Sequence, residues 1–252
     1  MHSDWRRVTR PFLTARWEHL VFLNYLCPPR LLDPLVPEGT TLDGWQGHVF
    51  VSLVGFLFRD TRVRGIGVPC HRTFEEVNLR FYVHRQTPDG EVRRAVVFIR
   101  ELVPRRAIAA VARRLYNEPY IALPMSNAND VEPPAGGLVA YFWFYEGQRF
   151  SLTATVQGPP SITPPDSQAA FITEHYWGYT RQRDGGTLEY RVDHPRWPLW
   201  VPTSWSLEGP LDRLYGREFA EVLASPPASA FVAEGSAVSV YGGVRLARQR
   251  VD

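Results

Sequence analysis

The chain has 252 residues, of which 44% are hydrophobic and 13% aromatic, which excludes an intrinsically disordered protein and allows a sizeable core. Its formal net charge of +2, with no block of like charges, gives no push toward nucleic acid or a membrane surface. All 28 basic residues are arginine, so no side chain carries an amine that could form an imine.

Along the chain, 22 prolines and 19 glycines punctuate short apolar segments, the pattern of a β-rich domain. Residues 14–26, TARWEHLVFLNYL, predict a first strand. PPRLLDPLVP predicts a short helix with proline at its start, where a missing N–H costs nothing. After a turn at Asp43-Gly44, an apolar strand is expected from His48 to Phe58; its lack of alternation predicts that both faces are covered. FEEVNLRFYV and EVRRAVVFIRELV flank Thr87-Pro88-Asp89-Gly90, which predicts a β-hairpin: proline presets the turn and glycine accepts positive φ. A helix follows over 105–116, with Ile108, Val111, Ala112 and Leu115 on one stripe and Arg106 and Arg113 opposite. A second hairpin turns at Glu146-Gly147. A short helix then leads into a third, which turns at Asp184-Gly185-Gly186. One helix is expected over 211–223, burying Leu211, Leu214, Tyr215, Phe219 and Val222, and AVSVYGGVRLA closes the chain as strand. With no linker between these elements, the expected architecture is one α+β, β-rich domain over 1–252. It would be a curved antiparallel β-barrel with outer helices, since closure removes sheet edges.

Cys27 and Cys70 are too few for a disulfide framework, and no CxxC occurs. The N-terminus lacks an apolar core of signal-peptide length, and no run of about 18 apolar residues exists. A cytoplasmic protein with free thiols is expected. The seven histidines show no metal spacing, and GxGxxG, P-loop, GxSxG and HExxH motifs are absent. Neither a metal nor a cofactor is expected, nor a nucleic-acid or membrane partner; homo-oligomerisation is left open.

FEEVNLRFYV carries the most information. Side chains alternate across a strand, so Glu76, Asn78, Arg80 and Tyr82 share one face, while Val77, Leu79, Phe81 and Val83 share the other. The polar row suits either a half-solvated strand or the wall of an internal cavity. In a cavity, Glu76 and Arg80 would lie roughly 13 Å apart along the strand and could hold opposite ends of a small ligand. Glu174, His175 and His194 are further acid–base candidates among aromatics, and Trp177, Trp197 and Trp200 suit core or cavity lining.

FLTARWEHLVFLNYLCPPRLLDPLVPEGTTLDGWQGHVFVSLVGFLF, EEVNLRFYV, FITEHYWGY and DHPRWPLW, in that order, resemble a bacterial family of unknown function in the acetoacetate decarboxylase-like superfamily. The resemblance spans about residues 10 to 248. It implies a curved β-barrel with outer helices and a cavity within. In the decarboxylases a buried lysine, paired with a second, forms a Schiff base after a proline that follows a helix. The matching positions here are Tyr120 and Ile121, which cannot. The resemblance also implies a cavity glutamate at Glu76, with Glu75 the adjacent choice. The site expected on these grounds comprises Glu76, Asn78, Arg80, Tyr82 and Tyr120 as ligand contacts. Glu76, Tyr120, His194 and Glu174 are the candidates for chemistry. The ligand is expected to be a small organic molecule, with a carboxylate suited to Arg80. A non-covalent acid/base enzyme, lyase- or hydratase-like, and a solidly packed scaffold are the alternatives.

Overall fold

β-Branched and aromatic runs form strands where the alternation and turns place them. The computed structural model describes residues 10–67, 69–132 and 135–246. Strand β1 spans Leu13–Leu26, β2 Phe50–Val63, β3 Phe74–Gln86 and β4 Val92–Val103. Helix α1, Arg106–Leu115, leads into short β5, Tyr120–Ala122. Strands β6 (Gly136–Tyr145) and β7 (Gln148–Gln157) form the second hairpin. Helix α2, Gln168–Thr173, is capped by the Ser167 hydroxyl, which accepts from the Ala170 N–H. It precedes the third hairpin, β8 (Trp177–Arg181) and β9 (Thr187–Asp193). Then come β10 (Ser204–Glu208), α3 (Leu211–Tyr215), α4 (Arg217–Leu223) and β11 (Ser229–Val240).

The larger sheet runs β11–β1–β2–β3–β4–β8–β9. β9 pairs again with β11 through Val192↔Val240 and Asp193↔Ser239, so the path of pairings returns to its start. The sheet departs from the wholly antiparallel one expected from the sequence. Short β8 and β5 both run parallel to β4, sharing one edge at different heights. Register shifts in β1 near His19, which holds φ 55°, and between Leu79 and Arg80 of β3 bend the strands. The smaller sheet, built on the β6–β7 hairpin with β10 at one edge, covers one face of the larger.

Two core clusters therefore form. Val77, Leu79, Phe81 and Val83 pack with Tyr141, Trp143, Phe150 and Leu152 of the second sheet. On the opposite face Phe22, Phe56, Phe58, Phe74 and Trp197 form the other cluster. Residues Phe50 to Phe58 of β2 are buried throughout, because each face meets one cluster.

Two expectations change. The helix foreseen over 211–223 is two helices, because Gly216 between them takes φ 80°, outside the helical region. The last long strand begins at Ser229, well before Ala237. Its first half, SAFVAE, lacks a clean alternation and is recruited by pairing with β1 along its length. Of the stripe expected on α1, Val111, Ala112 and Leu115 lie outside the described side chains, while Ile108 is half-buried and faces the second cluster. Among the described residues no helix is long and apolar enough to cross a membrane. Cys27 is buried and Cys70 exposed, both as thiols.

Candidate functional site

The polar row of β3 opens onto a cavity of about 290 Å³. Glu76, Asn78 and Arg80 line it, together with Tyr120, Glu101, Glu118 and aromatic side chains that include Phe56, Phe98 and Trp197. The register assembles its polar floor. Asn78 on β3 stands opposite Glu101 on β4, and Glu101 stands opposite Tyr120 on β5. Glu118 follows two residues before Tyr120, at the end of the connection from α1.

Three carboxyls converge here. Asn78 Nδ2 donates to Glu76 Oε1 at 3.0 Å, and the Tyr120 hydroxyl donates to Glu76 Oε2 at 3.1 Å. The Tyr190 hydroxyl, from β9, donates to Glu118 Oε1 at 2.5 Å. Glu101, 1% exposed, keeps Oε2 without a hydrogen-bond partner among the described residues, as does Asn78 Oδ1. Burial pushes Glu76 up to about 7; the hydrogen bonds from Asn78 and Tyr120 and the charge of Arg80 oppose it. Burial likewise raises Glu118 to about 7 against the Tyr190 hydrogen bond, and neighbouring Glu76 adds to the rise. Glu101 is driven well above the usual carboxylate range by burial and then by Glu118 and Glu76, against a hydrogen bond from Tyr120. Burial holds Tyr120 well above the usual phenol range, so it stays a donor.

Arg80 marks a different region. Its guanidinium carbon lies 5.2 Å from the Phe22 ring centre and 5.8 Å from that of Tyr82, and its Nε has no partner among the described residues. Burial lowers both His175 and His194 to about 4, with the Arg80 charge contributing. His175 Nε2 lies 3.1 Å from Asp43 Oδ2, which Arg94 also holds at 2.8 Å. His194 stacks on Trp197, ring centres 4.0 Å apart, within reach of the cavity.

Not every candidate gathers here. Glu174 is not among the lining residues; Arg196 Nε donates to it at 2.6 Å, an ion pair tying the α2 end to the segment before Trp197. Tyr82 is not a lining residue either. Its hydroxyl lies 2.6 Å from Ser52 Oγ and its ring packs on His175, so it supports the wall from behind. Glu75 points to the other face, where Asn127 donates to it. His194 lines the cavity but makes no hydrogen bond to Glu76; its Nδ1 faces the Pro195 carbonyl. Glu101, Glu118 and Tyr190 join the site without having been expected from the sequence. Glu101 carried one usable signal, a lone carboxylate among the apolar residues of FIRELV.

Gly178 decides whether Tyr190 can reach Glu118. The two face each other across the β8–β9 pair, and a Cβ on Gly178 would sit 2.1 Å from Tyr190 Cζ. Gly178→Ala is therefore expected to push the phenol aside and destabilise the fold by about 1–3 kcal/mol. Chemical denaturation checks this, and a change below about 0.5 kcal/mol would show that the ring does not lie over the glycine.

The DUF2071 family model, described as an uncharacterized conserved protein, matches residues 14–237. Uncharacterized protein YqjF of Bacillus subtilis (strain 168) is 25% identical over 183 residues, 71% of this chain and 72% of that one. The acetoacetate decarboxylase of Legionella pneumophila aligns with TM-score 0.65 at 13% identity, over 94% of this chain and 87% of that one. The enduracididine biosynthesis enzyme MppR, in complex with pyruvate, aligns with TM-score 0.61 at 14% identity, over 95% and 90% of the two chains. At such identities the likeness is one of fold, a β-rich α+β fold of the acetoacetate decarboxylase type.

Proposed function

The chain belongs to the DUF2071 family, and on that premise we propose that its returning path of strand pairings closes a curved barrel, a single domain whose interior binds a small organic molecule. The observation that carries the reading is the cavity of about 290 Å³ with Glu76, Asn78, Arg80 and Tyr120 on its wall. Apolar walls with a few convergent polar groups are the ordinary form of a ligand site. Arg80 supplies a permanent cation beside two neutral imidazoles, an arrangement suited to an anionic group. MppR holds pyruvate on a similar fold, which supports a small carboxylate at that end. Schiff-base chemistry is outside this chain's means. The chain has no lysine, and Tyr120-Ile121 stand where the resemblance would place the pair. A cavity of this size argues against a barrel packed solid as a scaffold.

A second reading, a non-covalent acid/base enzyme, has one observation in its favour. Glu76 and Glu118 near 7 could each give or take a proton at neutral pH, with Tyr120 as a fixed donor. His194, held near 4, is then a weak base rather than the principal one.

A metabolite panel screened by thermal shift tests the binding reading. Ala107 lines the cavity yet is exposed, so Ala107→Trp narrows the entrance without entering the core. Hits are expected to lose about tenfold or more in affinity on Ala107→Trp, and anionic hits to do the same on Arg80→Ala. Ligands that bind both variants unchanged would place the site elsewhere.

A further inference from the structure

We propose that the Glu76–Glu101–Glu118 end of the cavity takes the ammonium group of a small organic amine, the assignment resting on the cavity-binding reading above. Donors and acceptors at this end of the cavity do not match in number. Three carboxyls offer six oxygens, and beyond the protons that the raised carboxyls keep for themselves the donors that reach them come from Asn78, Tyr120, Tyr190 and Thr180. Two acceptors stay unmatched among the described residues, and both belong to lining residues that are 1% exposed: Glu101 Oε2 and Asn78 Oδ1. Asn78 is not an acid, so the shortage of donors is not a property of the carboxyls alone. The two residues are cross-strand neighbours, so their unmatched oxygens belong to one patch of wall.

An ammonium group answers both deficits. It brings three N–H donors from one atom, with no acceptor of its own, and a charge that three buried carboxyls lack. Among the described lining residues Arg80 is the one guanidinium, and it stands against three carboxyls. The wall beside them is aromatic, with Phe98, Tyr116 and Tyr190 among the lining rings, and an aromatic face attracts a desolvated cation. A neutral alcohol of the same shape supplies one donor and adds acceptors. A carboxylate supplies none and would meet the cluster with like charge.

Calorimetry on the whole chain with matched triplets decides it: amine, alcohol and acid on benzyl, 2-phenylethyl and isobutyl skeletons. The amine of a triplet is expected to bind at least about tenfold more tightly than its alcohol, and on Arg80→Ala than its acid as well, consistent with a charge-assisted contact. Glu101→Gln, which keeps the side-chain shape, is expected to remove most of that preference, and Glu118→Gln part of it. Alcohols that equal or exceed their amines, or acids that do so on Arg80→Ala, would overturn the ammonium assignment while leaving the cavity reading intact. An amine preference that survives Glu101→Gln and Glu118→Gln alike would also overturn it. If no triplet binds, or if every member binds Ala107→Trp unchanged, the cavity reading itself fails, and the ammonium assignment with it.

Discussion

Replacing Glu189 by leucine is expected to cost about 3–5 kcal/mol of stability, the range for removing one partner of a buried ion pair. Glu189 is fully buried on β9. Arg93 Nη1 donates to its Oε1 at 2.7 Å, Arg85 Nη1 to its Oε2 at 3.3 Å, and the Tyr179 hydroxyl to Oε2 at 2.6 Å. Arg85 and Arg93 face each other across the β3–β4 hairpin, and Tyr179 faces Glu189 across β8–β9. One carboxylate thus ties two hairpins far apart in sequence. Leucine fills part of the space but leaves two guanidinium groups short of an acceptor in a site screened from water. Arg93 retains Glu91, at 2.8 Å, and the Trp177 face, which sets the expectation nearer the lower bound. For a chain of this length the melting temperature should fall by roughly 6–15 °C. A double-mutant cycle with Arg93→Leu gives the sharper reading. Removing both partners should cost less than the two single losses together, because Arg85 is then the one guanidinium that has lost the Glu189 carboxylate. A loss below about 1 kcal/mol for Glu189→Leu would mean that water reaches the pair in solution.

The contrast between Glu189 and Glu76 shows what could be read from the sequence. The polar row of β3 was legible because a period of two and a Pro-Asp-Gly turn fix which residues share a face. The structure keeps that alternation, with Val77, Leu79, Phe81 and Val83 against the second sheet and Glu76, Asn78 and Arg80 on the cavity. The partner of Asn78 was not legible. Counting back from the turn in regular register places Arg100 opposite Asn78, but the irregularity between Leu79 and Arg80 shifts the pairing by one, to Glu101. A single inserted residue exchanges an arginine for a carboxylate at the cavity wall and reverses the sign of its charge. Glu118 stood in view beside Pro119, yet its role depends on Tyr190, 72 residues on, and on Gly178 leaving room for that ring. The Glu189 contacts span 96 and 104 residues and carry no local signature. Tyr82 followed the period, but its hydroxyl found Ser52, which no pattern on β3 could reveal.

The stability of Glu76→Gln relative to the parent protein should depend on pH, and the sign follows from burial. Glu76 sits near 7 in the folded protein against an ordinary 4.5. A carboxyl raised on folding contributes its full stability below about 4.5 and loses it as pH rises through about 7. At about 1.4 kcal/mol per pH unit, the loss is on the order of 3 kcal/mol. His175 and His194 work the other way. Lowered from 6.5 to about 4, they contribute fully above 6.5 and lose stability as pH falls through 4. Between 4.5 and 6.5 the two trends oppose each other, and from 6.5 to about 7 the carboxyl loss alone remains, so the parent protein's own profile mixes them. The variant separates them. Glutamine keeps an oxygen for the Asn78 amide and turns its NH₂ toward the Tyr120 oxygen, and it cannot ionise. Its advantage should be absent near pH 4.5, grow across the window and level off above 7. It also removes a like charge from beside Glu101 and Glu118, so the gain at pH 8 includes some relief of those two. Denaturant titrations of both proteins from pH 4.5 to 8.5 measure this difference directly. Parallel curves would mean that Glu76 ionises as freely as in the unfolded chain. Water would then hydrate the three carboxyls, and they would have no unmet demand for a cation.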